Sequence, residues 1–127
     1  MAEPKIIFFD IDGTLLDQET GCISAKTRET LAKLHKKGIL LCAATGRPTA
    51  SLPDLADLPF DGFLTSNGSL CYTKRQTIFK NPIDPKDVRT VLANAAKLGR
   101  PVSVVVRDRM AANGIDQDLA DYYKLAG

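Results

Sequence analysis

Ile6-Ile7-Phe8-Phe9-Asp10-Ile11-Asp12-Gly13-Thr14-Leu15-Leu16 is the stretch on which the reading of this chain turns. An apolar run ends in an acid, a second acid follows after one residue, and a glycine lets the chain turn away. Ile6 to Phe9 predict a short strand buried on both faces, as in a parallel sheet. Asp10 then falls at the carboxyl end of that strand, and ligands of open α/β sheets bind outside the carboxyl ends of strands. Two carboxylates this close repel unless a positive group sits between them or one takes a proton. A hard cation such as Mg²⁺ satisfies that need and brings phosphate oxygens with it.

Downstream, the polar run Asp17-Gln18-Glu19-Thr20-Gly21 predicts a turn, with Gly21 as its residue of positive φ. Ser24 reads as a helix N-cap. The helix is expected from Ala25 to Lys37, with Leu31 and Leu34 as its apolar stripe and Ala32 beside it. Lys36 and Lys37 suit its negative end, and Gly38 suits the residue after it. His35 reads as a surface helix residue. Ile39 to Ala44 predict a second strand; a strand–helix–strand connection makes the pair parallel. Thr45 therefore stands level with Asp10, where a hydroxyl and backbone N–H groups can hold a phosphate oxygen, and Gly46 allows close approach. Pro48 fits the first position of a short helix expected from Thr49 to about Ala56, broken by Pro53.

Phe63 to Thr65 predict a third strand. Asn67-Gly68 is the favoured turn pair for a hairpin onto Leu70 to Tyr72. Thr73 to Gln76 then link that strand to another at Thr77 to Phe79. The character changes at Asn81-Pro82-Ile83-Asp84-Pro85, a boundary signal. Asp84 can cap a helix from Lys86 to Leu98 with Pro85 at its start and Val88, Val91, Leu92 and Ala95 on one face. Val102 to Val106 form an emphatic β-branched strand. Met110 to Gly114 read as irregular, and Asp116 starts a last helix through Leu119 and Tyr123.

The 127 residues suffice for one domain with a modest core. A net charge of +2 makes no electrostatic case for nucleic acid. No apolar run reaches membrane-spanning length, and the N-terminus has no signal-peptide pattern. Cys22, Cys42 and Cys71 are odd in number and lack metal-ligand spacing, which suits a reducing cytoplasm. Cys42 reads as a small core residue.

The Phe-Phe-Asp-Ile-Asp-Gly-Thr-Leu-Leu stretch resembles the first motif of the haloacid dehalogenase (HAD) superfamily. The Ala44-Thr45-Gly46-Arg47 stretch resembles its second motif in the form found in the Cof-type branch of sugar-phosphate and related phosphatases. Ser66-Asn67-Gly68 also resembles that branch, where it borders the active site. The resemblance implies a Rossmann-like α/β core over residues 1–81 and the beginning of an inserted α/β cap over residues 82–127. It implies a small hairpin flap after Leu16. It implies Asp10 as nucleophile, Asp12 as general acid/base, and both as Mg²⁺ ligands. Thr45 and Gly46 would bind the phosphoryl group, Arg47 would contact substrate or anchor the loop, and Asn67 would border the substrate. The implied reaction is Mg²⁺-dependent hydrolysis of a small phosphorylated metabolite through an aspartyl-phosphate on Asp10.

Two later motifs of the superfamily, a charge-balancing lysine and a Gly-Asp-x-x-Asp-like cluster, have no match. Lys74, Lys80, Lys86, Lys97 and Lys124 fall in exposed or cap-like contexts. Asp108, Asp116 and Asp118 would complete a metal site only in a minimal capless enzyme. The expectation is therefore an N-terminal half of a longer protein, nearly inactive alone, completed by a C-terminal half or a homo-oligomer. The competing functions are a truncated non-catalytic fragment that binds phosphate or a partner, and a receiver-like phospho-accepting module. A phosphomutase is a variant of the first reading.

Overall fold

The computed structural model describes residues 4–17, 19–106 and 108–126. They divide into two compact units, the chain passing from the first to the second between Asn81 and Pro82. No described helix is long and apolar enough to cross a membrane.

The first unit holds β1 (Ile6–Phe9), α1 (Ala25–Lys36), β2 (Leu40–Ala44), β3 (Gly62–Thr65), β4 (Leu70–Thr73) and β5 (Thr77–Lys80). The five strands form one sheet in the order β1-β2-β3-β4-β5. β1, β2 and β3 run parallel, as the helical crossover requires. β4 and β5 turn back antiparallel, so the sheet is mixed. Ile7, Phe9, Leu41, Ala43 and Phe63 lie on one face and pack into the core with Ile11, Leu31 and Phe60. Aromatic rings continue along that face: Phe60 stands edge-on to Phe9, and Phe63 stacks on Tyr72 at 5.2 Å.

The expectation that β1 is buried on both faces is corrected. Phe8 is 54% exposed and Ile6 and Leu40 are also exposed, because β1 lies at the sheet edge and α1 covers only the opposite face. The register places Ile6 beside Leu40 and Phe8 beside Cys42, so one sheet face carries this open apolar strip. Cys42 itself is buried, and that burial pushes its thiol up from its ordinary value.

α1 starts as its cap predicts: the Ser24 hydroxyl oxygen accepts from the Thr27 N–H at 3.1 Å. Ser24→Ala should cost about 1 kcal/mol of stability, read as a lowered urea midpoint with an unchanged slope. Gly38 ends the helix region at φ 80°, a conformation that suits glycine. His35 does find a partner, Asp61 Oδ1 at 3.4 Å, while Asp61 Oδ2 accepts from the Leu41 N–H at 2.9 Å.

The helix expected from Thr49 to Ala56 does not form. A single 3₁₀ turn spans Thr49–Ser51, with Pro48 before it rather than inside it. Leu52 is then extended at φ −67° and ψ 139°, as a residue before proline prefers to be. Pro53 has no N–H to continue a helix. Gln18, within the predicted polar turn, lies outside the described residues.

The second unit holds α2 (Pro85–Lys97), β6 (Ser103–Val106), β7 (Arg109–Ala112) and α3 (Gln117–Ala126). Asp84 caps α2, accepting from the Lys86 N–H at 2.7 Å. Asp116 caps α3, accepting from the Leu119 N–H at 2.9 Å. Met110 to Ala112, expected to be irregular, belong to β7 and pair antiparallel with β6. Methionine and alanine carry little strand signal of their own; β6 supplies the ladder that holds them extended. No described residue of this unit is buried.

Candidate active site

The site is built at the carboxyl ends of β1 and β2. The parallel register pairs Phe9 with Ala43, so Asp10 and Thr45 leave adjacent strands at the same end of the sheet. Asp10 is exposed there. Ile11, fully buried, pins the turn that follows: its carbonyl accepts from the N–H groups of Thr14, Leu15 and Leu16. Gly13 supplies the positive φ of 75° that this turn needs. Asp17 closes the next turn, its Oδ1 accepting from the N–H groups of Glu19 and Thr20 and from the Thr20 hydroxyl.

Thr45 is buried, and three segments meet on it. Its N–H donates to the Leu64 carbonyl at 2.9 Å, its carbonyl accepts from the Asn67 N–H at 3.1 Å, and its Oγ1 accepts from the Arg47 N–H at 3.0 Å. The Arg47 carbonyl accepts from the Ser66 N–H at 2.9 Å. The loop after β2 is thus sewn to the loop after β3. These bonds hold Ser66 and Asn67 at φ 51° and 55°, in the left-handed region that costs non-glycine residues about 1–2 kcal/mol. The Asn67 side chain lies over Gly46: a Cβ on Gly46 would meet Asn67 Oδ1 at 3.2 Å. Asn67-Gly68 also serves as the turn between β3 and β4, as the sequence pair predicts.

Asp12 faces Arg47. Arg47 Nε and Nη2 donate to Asp12 Oδ2 and Oδ1, each at 2.9 Å, in a two-pronged fork. The Arg47 hydrogen bonds hold the Asp12 carboxyl below its ordinary range, and Asp12 raises Arg47 in turn. Asp12 is accordingly ionised at neutral pH. Arg47 Nη1 donates to the Ser51 carbonyl at 3.1 Å, so Arg47 anchors the loop as well. The positive neighbour that the two acids call for is, at Asp12, this guanidinium. Nothing in the sequence signals the Ser51 carbonyl or the positive φ of Ser66, because both are backbone features set by the packing of separate loops.

Mg²⁺ takes oxygen donors and commonly binds through one or two carboxylates, completing its shell with waters and substrate phosphate. The exposed carboxylate of Asp10 is such a donor, whereas both carboxylate oxygens of Asp12 lie in the Arg47 fork. Among the described residues no group of three or more His, Cys, Asp or Glu is placed to hold a metal. The donors present fit a partial Mg²⁺ shell. Asp116 and Asp118 both pair with Arg100. A cavity of about 470 Å³ lies beside the turn after Asp12, lined by Gly13, Thr14, Leu16, Asp17, Glu19 and Thr27; Asp10, Thr45 and Arg47 do not line it.

The Bacillus subtilis protein YkrA, a candidate phosphatase, is 36% identical over 115 residues, a match that covers 90% of this chain and 44% of YkrA. A HAD subclass IIB sugar phosphatase superposes with a TM-score of 0.81 at 33% identity, over 96% of this chain and 49% of that one. A HAD phosphatase from Bacteroides thetaiotaomicron superposes with the same TM-score, 0.81, at 28% identity, over 96% of this chain and 46% of that one. The chain thus spans about half the length, or less, of these relatives. The sequence model for haloacid dehalogenase-like hydrolases matches residues 7–125. With an α/β fold, a mixed sheet, and that match along nearly its whole length, the chain belongs to the haloacid dehalogenase-like hydrolase family.

Proposed function

We propose that this chain supplies the nucleophile side of a phosphatase that acts on a small phosphorylated molecule. The observation that carries the reading is the meeting of Asp10 and Thr45 at adjacent carboxyl ends of a parallel pair, with Asp12 held beside them. Phosphatases among the similar proteins support the reaction class.

In this reading an Asp10 oxygen attacks phosphorus and the bond from phosphorus to the leaving oxygen breaks. Asp12, ionised beforehand, takes up the proton carried by the monoanionic phosphate ester and passes it to that oxygen. Water then attacks phosphorus, Asp12 takes the proton released, and phosphate leaves with Asp10 restored. Thr45 and the Gly46 N–H hold phosphoryl oxygens, and Asn67 borders the substrate. Bound Mg²⁺, held in part by Asp10, would neutralise charge on the transferring group. The second unit, 82–127, is on this reading the start of a cap, the part that selects the substrate.

The experiment is chemical trapping. A protein carrying this chain is mixed with a phosphate monoester and Mg²⁺, quenched in acid and reduced with borohydride. An aspartyl-phosphate at position 10 would be converted to homoserine, found by peptide mass. Steady turnover with no modification at Asp10 overturns the covalent route.

The 127 residues alone should turn over at least about 100-fold more slowly than a protein that also carries a charge-balancing lysine and a second acidic cluster. Lys74 and Lys80 are exposed on the β4–β5 hairpin. Rapid Asp10-dependent turnover by the pure chain refutes this expectation.

A further inference from the structure

We propose that Arg47 is a positioning residue whose fork sets the orientation of the Asp12 carboxylate. The proposal rests on the phosphatase reading for what that orientation achieves, but the geometry stands by itself. Asp12 sits on a turn with its side chain 50% exposed. A carboxylate so placed samples several rotamers unless something fixes it. Among the described residues, the only hydrogen bonds to its carboxylate come from Arg47, and these engage both oxygens.

Arg47 can do this because it is itself held at both ends. Its N–H donates to Thr45 Oγ1 at 3.0 Å, its carbonyl accepts from the Ser66 N–H at 2.9 Å, and its Nη1 donates to the Ser51 carbonyl at 3.1 Å. Its side chain is only 20% exposed. The guanidinium is a flat fork with fixed donor directions, so anchoring Nη1 on Ser51 aims Nε and Nη2 at Asp12. The strain at Ser66 and Asn67 has a use here, since those residues carry the N–H groups that tie down the Arg47 loop. A lysine at this position would keep the charge but could not hold two carboxylate oxygens and a carbonyl in one plane.

Two measurements test this. The first needs no activity. In a protein that carries this chain, the Arg47 Nε–H signal in the ¹⁵N NMR spectrum should be sharp and slow to exchange, and Asp12→Asn should shift it and speed its exchange. An Nε–H signal indifferent to Asp12→Asn overturns the proposal, whatever the activity. The second is a double-mutant cycle in a protein that carries this chain and hydrolyses p-nitrophenyl phosphate. Arg47→Met should lower kcat by about 100-fold, the scale of a 1 Å misplacement, with KM changed little. Arg47→Lys should recover part of that loss. In an Asp12→Asn background, Arg47→Met should cost almost nothing more. A raised KM with additive losses would make Arg47 a substrate ligand and overturn the positioning role. The failure of the function reading looks different: Asp10→Asn would leave turnover unchanged while the Nε–H coupling to Asp12 persisted.

Discussion

Asp10→Asn should lower phosphate release by at least about 10³-fold in a protein carrying this chain, and should abolish borohydride-trapped modification at position 10. This is the largest effect on activity expected of any substitution in the chain. An amide oxygen is a poor nucleophile, and losing the group that forms the covalent intermediate removes the two-step route altogether. The side chain of Asp10 is exposed, so the substitution should leave the urea midpoint nearly unchanged. That separates lost chemistry from lost folding. A variant that keeps more than a tenth of the activity would remove Asp10 from the nucleophile role and with it the reading of the site.

The largest stability effect is expected at Leu41. It is fully buried in β2, beside Ile7 of β1 in the register, and packs into the core with Leu31 and Phe60. Leu41→Ala should cost about 2–5 kcal/mol, the sum of lost transfer energy and the cavity left behind. Against a typical total of about 5–15 kcal/mol, that is a large share of the stability. Circular dichroism during urea unfolding would read it as a large fall in midpoint. Phe8→Ala is the control from the neighbouring strand. Phe8 faces the open side of the sheet, so its loss should cost less than about 1 kcal/mol. If Phe8→Ala were as costly as Leu41→Ala, the open face would be covered in solution.

The two substitutions also show where sequence reading stops. Ile6 to Phe9 read correctly as a strand because an apolar run bounded by turn residues is a local signal. Which of its residues are buried depends on what packs against each face, and that depends on elements far along the chain. The helix expected after Pro48 failed for a reason that was legible. Pro53 forbids the continuation and forces Leu52 extended, and that outweighs the helix-forming residues between. β7 had no comparable local signal, since only its pairing with β6 makes Arg109 to Ala112 a strand.

The sequence by itself determined the β1–α1–β2 unit, its caps at Ser24 and Gly38, and the placing of Asp10 and Thr45 at strand ends. These follow from periodicity, capping chemistry and the parallel sense that a helical crossover imposes. Only the tertiary structure decided that Asp12 pairs with Arg47, a residue 35 positions away, and that Ser51 and Ser66 hold Arg47 in place. It also decided that Asn67 covers Gly46. The physical reason is range. Backbone preference acts within a few residues, whereas a hydrogen bond between side chains exists only after two loops from different strands have been brought within about 3 Å by the packing of the sheet.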